Sequence, residues 1–370
     1  MKSWIQFIIL LYFLLGNLPV SFSQIYNRRD LEGKPDPQLS QKDNDFMDRQ
    51  DKAFLDTVQS ILAKCLPTVQ PENRERTMAK MLMDAVFHDP YAAYRKPVQD
   101  FFHARIDQVI RELENTKVDH GVRIWKLYNM AFIARTKSVT IAFDLVSGIT
   151  SGSEDFAMTP NQVEHLVKQC DVLLITHRHE DHVQKEIAER FIESGKPVVA
   201  TEQTLKNEQV YSLIQHPERS FDKMQHLKVH QNTLVVVVLP GHQMKATDNN
   251  CYLVTTPEGI TIAHIGDQIN EGNFISDYDW IDRVSSKYKV DVLISNCWTN
   301  DIYRIVKGFN SQLVMLGHEL ELGHPVWDRV PYWGDEQYLE LNYSKLKASK
   351  YPVVVTIWGE SFHYPPKNSN

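Results

Sequence analysis

Cysteine is scarce in this sequence: four residues in 370, with no C-x-x-C spacing among them. A thiolate zinc site and a thioredoxin-like redox motif are therefore not indicated. Basic residues are not in excess either. Forty Lys and Arg stand against 47 Asp and Glu, interspersed, for a formal net charge of -7. A nucleic-acid backbone as main partner would favour a basic face, so none is expected, while a small phosphorylated substrate stays open. Beyond Gln24 no run is long and apolar enough to span a bilayer. Internal repeats and low-complexity tracts are absent too.

What is present is enough for a large core. The apolar fraction is 42% over 370 residues, which fits one large or two ordinary domains. The first residues read "MKSWIQFIILLYFLLGNLPVSFSQ". Lys2 supplies a positive n-region, Trp4 to Leu18 an apolar h-region, and Ser21-Phe22-Ser23 a peptidase site before Gln24. The expectation is a signal peptide over residues 1–23 and export to a periplasmic or secreted location. No Cys follows the h-region, which argues against lipoprotein processing. An oxidising compartment would let Cys65, Cys170, Cys251 and Cys297 pair, in any of three full connectivities. Three of them also sit at or in expected buried strands, where a free Cys serves as a small hydrophobe.

Residues 24–45 are polar and read as a disordered lead. Residues 46–117 read as a helical N-terminal subdomain: "FLDTVQSILAKCL" puts Phe54, Val58, Ile61, Leu62 and Cys65 on one face, and "FFHARIDQVIREL" repeats the pattern. Residues 118–370 change character. "RIWKLYNMAFIARTKSVTIAFDL" is strand-like throughout. Strands "DVLLIT", "PVVA", "TLVVVVLP", "NCYLVTT", "ITIAHIG", "VDVLIS" and "YPVVVTIW" follow, with helices "VQKEIAERFIESG", "YDWIDRVSSKY" and "EQYLELNYSKLKASK" among them. Several strands first, then alternating β and α, favour an α+β fold of two packed sheets with helices outside over a purely parallel sheet.

The chemistry concentrates in "DVLLITHRHEDHVQ". An apolar strand ends in His177, His179, Asp181 and His182, donors that suit a metal with open positions. In extended chain His177 and His179 share a side. A turn into a helix at Val183 would aim Asp181 and His182 at a second spot, so that one loop could serve two metals.

H-x-H-x-D-H after an apolar strand resembles the signature of the metallo-β-lactamase-fold hydrolases. The family's remaining stations occur in order: Asp144 in "TIAFDLVSG", His242 in "VVVVLPGHQ", Asp267 in "IAHIGDQ" and His318 in "VMLGHELELGH". The resemblance covers roughly residues 121–359 and implies an αββα four-layer sandwich carrying the N-terminal helices as an addition.

It also implies roles. His177, His179 and His242 would hold one metal, Asp181, His182 and His318 a second, and Asp267 would bridge them, with Asp144 orienting a ligand from behind. Two divalent ions, Zn²⁺ with Mn²⁺ or Fe²⁺ as substitutes, would generate a hydroxide nucleophile at neutral pH, so that no Ser or Cys nucleophile is needed. Asp at 267, where many β-lactam-hydrolysing members carry Cys, points away from β-lactams and towards esters, lactones or phosphoesters. In look the chain is nearest the ascorbate-phosphate lactonase and N-acylphosphatidylethanolamine phospholipase D-like group.

Asp267 and Asp181 would act directly in catalysis. Glu321 and His324, three and six residues beyond His318, are candidates for proton donation or substrate contact, with His324 a rival to His318 as last ligand. Trp327, Tyr332 and Trp333 could line a pocket, whereas Trp358 reads as core. His264, at odd spacing from Asp267 along a strand, should face away from it. Arg178 and Glu180, between the ligands, should be replaceable. The leading expectation is a metal-dependent hydrolase of a small molecule, without stable membrane insertion after cleavage. The alternatives are a non-catalytic metal- or ligand-binding protein on the same fold, or a di-iron redox protein, for which no flavin module follows.

Overall fold

The computed structural model of the chain describes residues 39–87, 89, 91–148, 156–243, 247–269, 275–297, 299, 302–320, 322 and 350–365. The expected signal peptide, the lead as far as residue 38, the helix in "EQYLELNYSKLKASK" and the aromatics Trp327, Tyr332 and Trp333 lie outside these.

Helix α1 spans Gln41–Leu62 and so starts inside the stretch expected to be disordered lead. Its polar first turn hides it from a periodicity reading. The signal is Ser40, whose hydroxyl accepts from the Asp43 amide at 3.3 Å and caps the helix. Helices α2 (Arg74–Phe87) and α3 (Lys96–Asn115, with Pro97 in its first turn) follow.

The first sheet has six strands in the order β13-β1-β2-β3-β4-β5. They are β1 (Val122–Lys126), β2 (Phe132–Arg135), β3 (Thr140–Phe143), β4 (Val172–Leu174), β5 (Val198–Val199) and β13 (Ser361–Tyr364). β13, β1, β2 and β3 are antiparallel to their neighbours, and β3, β4 and β5 are parallel. Helices α4 (Pro160–Gln169) and α5 (Lys185–Glu193) make the crossovers.

The second sheet has seven strands in the order β12-β11-β10-β9-β8-β7-β6. They are β6 (Met224–Val229), β7 (Asn232–Gln243), β8 (Thr247–Thr255), β9 (Thr261–His264), β10 (Val292–Asn296), β11 (Leu313–Gly317) and β12 (Val353–Val354). Helices α6 (Asp277–Ile281), α7 (Val284–Lys287) and α8 (Ile302–Phe309) belong to this half.

Strand alternation builds three apolar layers. Ile141 and Phe143 of β3 face Tyr252, Ile262 and Ile294 between the sheets, while Ala142 faces outward. Outward residues of β1 to β3 (Trp125, Ile133, Ala142) share a cluster with Leu55 and Val58 of α1, Met83 and Phe87 of α2, and Phe102, Ile106 and Val109 of α3. Leu293 of β10 and Val314 of β11 pack outward on Ile281, Ile305 and Phe309. The whole is an αββα four-layer sandwich in which α1 to α3 supply part of one outer helical layer.

Trp358 is fully buried in that layer, stacked on Phe87 at 4.7 Å between ring centroids. The four cysteines are all free, and Cys170, Cys251 and Cys297 are buried. Among the described residues no helix is long and apolar enough to cross a membrane.

Some elements differ from expectation. The strand expected over "YPVVVTIW" is only Val353–Val354, because the chain leaves the sheet at Val355 for the turn at Gly359, and β13 follows it. Helix α5 starts at Lys185; His182 and Val183 donate to the His179 carbonyl in a turn first. Helix α4 went unexpected although Thr159 and Gln162 form a reciprocal capping box.

Candidate metal centre

The site forms where strands of both sheets reach their carboxyl ends, the usual position for a site built on parallel strands. Asp144 follows β3, residues 176–183 follow β4, His242 lies at the end of β7, Asp267 follows β9 and His318 follows β11.

Four donors converge: one ligand atom each from Asp181, His182, Asp267 and His318, all within 4.8 Å of one another. His182 Nε2 stands 3.2 Å from His318 Nε2. Asp267 sends Oδ1 to His318 Nε2 at 2.9 Å and Oδ2 to His182 Nε2 at 3.1 Å. The Asp181 carboxylate is 3.5 Å from His182 Nε2 and 3.8 Å from His318 Nε2. His177 joins the edge, with Nε2 3.9 Å from Asp267 Oδ2 and 3.1 Å from His179 Nδ1. His242 is not one of the convergent four and is held by Asp277, its Nδ1 lying 2.9 and 3.1 Å from the two carboxylate oxygens. Glu321 and His324 lie outside the described residues.

Asp144 sits behind the ligands, fully buried, with φ +45°. It accepts from the Thr176 amide and hydroxyl at 2.7 Å each and from His182 Nδ1 at 2.8 Å. His182 is thereby fixed with Nε2 towards the centre. His264 is buried between the sheets, stacked on Phe143 at 4.9 Å, with Nε2 donating to the Met130 carbonyl. Its Nδ1 comes within 3.9 Å of Asp144, so it touches the ligand-orienting acid although it is outside the convergent four.

Backbone geometry puts one ligand, and the residue before another, in the left-handed region. His318 has φ +64°, and its amide donates to the Asn129 carbonyl. Gly266, at φ +51°, precedes Asp267, and a Cβ there would lie 2.6 Å from the Thr176 side chain. Only glycine lets the Asp267 turn approach the His177 loop so closely.

The charge balance is that of a cation site. Burial opposes charge on His182, but Asp267, Asp181 and Asp144 outweigh it and hold the imidazolium well above its usual range. Burial also works against both ligand carboxylates, yet the neighbouring His182 and His318 bring Asp181 down to about 2 and Asp267 well below the ordinary carboxylate range. Burial lowers His177 and His179, keeping these imidazoles neutral and open as donors. The side-chain amides on the acids are neutral: Asn296 and Gln243 donate to Asp267 at 2.6 and 2.8 Å, and Asn129 to Asp181 at 3.4 Å. Two imidazole nitrogens and two carboxylates aimed at one point fit a divalent cation of imidazole–carboxylate preference.

Several of these residues escaped the sequence reading. Thr176, Asn129, Asn296 and Asp277 carry no local signature. Gln243 and Gln268 did leave one, since each directly follows an expected ligand, in "GHQ" and "GDQ".

Sheet order, flanking helices and a His/Asp centre at the carboxyl strand ends together define a metallo-β-lactamase-type sandwich. No protein-family model matches the chain, and no curated protein does. Among solved structures the chain is similar to Igni18, a metallo hydrolase from the archaeon Ignicoccus hospitalis, at 18% identity and a TM-score of 0.49, covering 66% of this chain and 99% of that one. It is similar to an isothiocyanate hydrolase from Delia radicum gut bacteria (12%, 0.46, 66% of this chain and 100% of that one). CmlA, a diiron β-hydroxylase from Streptomyces venezuelae, is a further likeness (16%, 0.44, 70% and 62%). At these scores the likenesses decide nothing about chemistry, which rests on the residues of the site.

Proposed function

We propose that the chain is a binuclear metal-dependent hydrolase of an ester, lactone or phosphoester in a small molecule. The observation that carries this is the convergence of Asp181, His182, Asp267 and His318, with Asp267 presenting its two oxygens to different imidazoles. Asp181, His182 and His318 would hold one ion, His177, His179 and His242 the other, with Asp267 between. Zn²⁺ suits the set best, and Mn²⁺ or Fe²⁺ would substitute. Bound there, two dications supply Lewis acidity and lower the pKa of water into the neutral range.

The chain's own residues prepare that chemistry. Asp144, itself held by the Thr176 hydroxyl, fixes the His182 ring with Nε2 towards the centre. Asn296 and Gln243 fix the two oxygens of Asp267 in direction. Asp181, about one third exposed, is the acid that solvent and substrate reach most readily. Export, expected from residues 1–23, belongs to the same proposal.

The test is a metal assay of the purified protein, followed by a parallel screen of lactones, phosphodiesters, thioesters and β-lactams with and without chelator. About two ions per chain and chelator-sensitive turnover of a lactone or phosphodiester are expected. A protein that takes up no divalent metal, or whose turnover survives stripping, would overturn the assignment.

A further inference from the structure

His242 is held by a construction that the metal stations do not account for. Its Nδ1 faces both oxygens of Asp277, at 3.1 and 2.9 Å, from the first residue of α6. Asp277 is 4% exposed. Gln268, 1% exposed, closes the arrangement from the other side. Its Nε2 donates to Asp277 Oδ2 at 2.8 Å, and its Oε1 accepts the backbone amide of His242 at 3.0 Å. One carboxamide thus grips the main chain of the histidine and the acid that faces its ring. Gln268 is itself anchored, because Thr299 donates its hydroxyl to the Gln268 carbonyl.

The neighbouring sequence makes room for this. A Cβ at Gly241 would lie 2.0 Å from Gln268 Oε1 and 2.6 Å from Cys251 Sγ, so any side chain there would push the carboxamide aside. Gln268 directly follows Asp267, so the clamp also joins two stations that lie on different strands.

We propose that Asp277 and Gln268 are positioning residues that lock His242 in the tautomer protonated at Nδ1, with Nε2 carrying the lone pair. A carboxylate has no hydrogen to donate at neutral pH, so the ring nitrogen facing it must carry one. The lone pair is then forced onto Nε2, the atom a ligand imidazole needs. What His242 does with that lone pair rests on the hydrolase reading; how the ring is held does not.

The experiment reads the ring directly. Metal-free protein labelled with ¹⁵N-histidine is observed by NMR at pH 8.5, where an ordinary imidazole is neutral, with His242 assigned through His242→Gln. The wild type should show Nδ1–H. Asp277→Ala should shift the ring towards the Nε2–H form that dominates free imidazole side chains, and Asp277→Asn, which keeps the shape, should give a mixture. Nε2–H in the wild type, or no change in either variant, would overturn the clamp.

A second arm titrates zinc-loaded protein with a competing chelator. One zinc per chain should be released about 10- to 100-fold more readily from Asp277→Asn than from the wild type. Equal retention would overturn the positioning role. A wild type that shows Nδ1–H but takes up no zinc would leave the clamp standing while removing the hydrolase reading.

Discussion

Arg76 of α2 meets Glu360, just before β13, with both terminal guanidinium nitrogens at 2.7 Å from its carboxylate oxygens, and both side chains are buried. The same guanidinium donates to the Cys65 and Val355 carbonyls. A residue of the N-terminal helices is thus wired to the last turn before the final strand. Arg76→Ala leaves Glu360 buried without its partner, so a loss of about 3–5 kcal/mol is expected, checked by denaturant midpoint. Removing residues up to His120 uncovers the outward face of β1 to β3 and should give a chain that aggregates rather than a folded core, read by circular dichroism and gel filtration.

The ligand loop gives a contrast within four consecutive residues. Arg178 and Glu180 are exposed, whereas His179 lies 3.1 Å from His177 and Asp181 points at the centre. Arg178→Ala and Glu180→Ala should keep kcat/KM within about threefold of wild type. His179→Ala and Asp181→Ala should lose about a thousandfold or more, roughly 4 kcal/mol of barrier, with the melting temperature of the metal-free protein little changed. Full activity in the last two would defeat the assignment.

Metal should stabilise as well as activate. The convergent donors belong to the folded state, since they come from different strand ends. At a free ion concentration 100 times Kd, one bound ion adds about 2.7 kcal/mol, and a chain of this size should melt about 3–4 °C lower after chelation. Identical melting curves with and without metal would count against a cation site.

A separate acid responds to pH. Asp51 of α1 is 2% exposed, and burial pushes its carboxyl up to about 7, partly offset by Arg95. Between the ordinary aspartate value of about 3.9 and this value, the folded state keeps a proton that the unfolded state has released. The contribution of Asp51 therefore becomes less favourable as pH rises through that window and is level above it. Asp51→Asn should gain more over wild type at pH 8 than at pH 4, by up to about 4 kcal/mol, read from paired denaturant curves. A gain that is the same at both values would show that Asp51 does not titrate this way.

How much was legible follows from range along the chain. Donors such as His182 and Asp267 could be placed because each stands just past an apolar strand, a pattern that fits inside ten residues. The two-sheet architecture followed from the order of such strands. Asp277, Asn296 and Lys126 gave no such sign, because their roles exist only after distant segments meet. Lys126 is an example: it reads as a polar residue in a strand, yet its Nζ is fully buried at 2.5 Å from Glu319, beside His318. Helix α1 was partly hidden because its first turn is polar and only Ser40 marks it.

The pairing of β1 with β13 has a consequence for the order of events in folding. Val122 of β1 lies opposite Tyr364 of β13, so this strand waits for a partner made about 240 residues later. At about 5–20 residues per second, that wait lasts on the order of 10–50 seconds. Throughout it the Arg76 guanidinium lacks Glu360, and the edge of β1 is open to other chains. A nascent chain of this kind has reason to need a chaperone until β13 closes on β1.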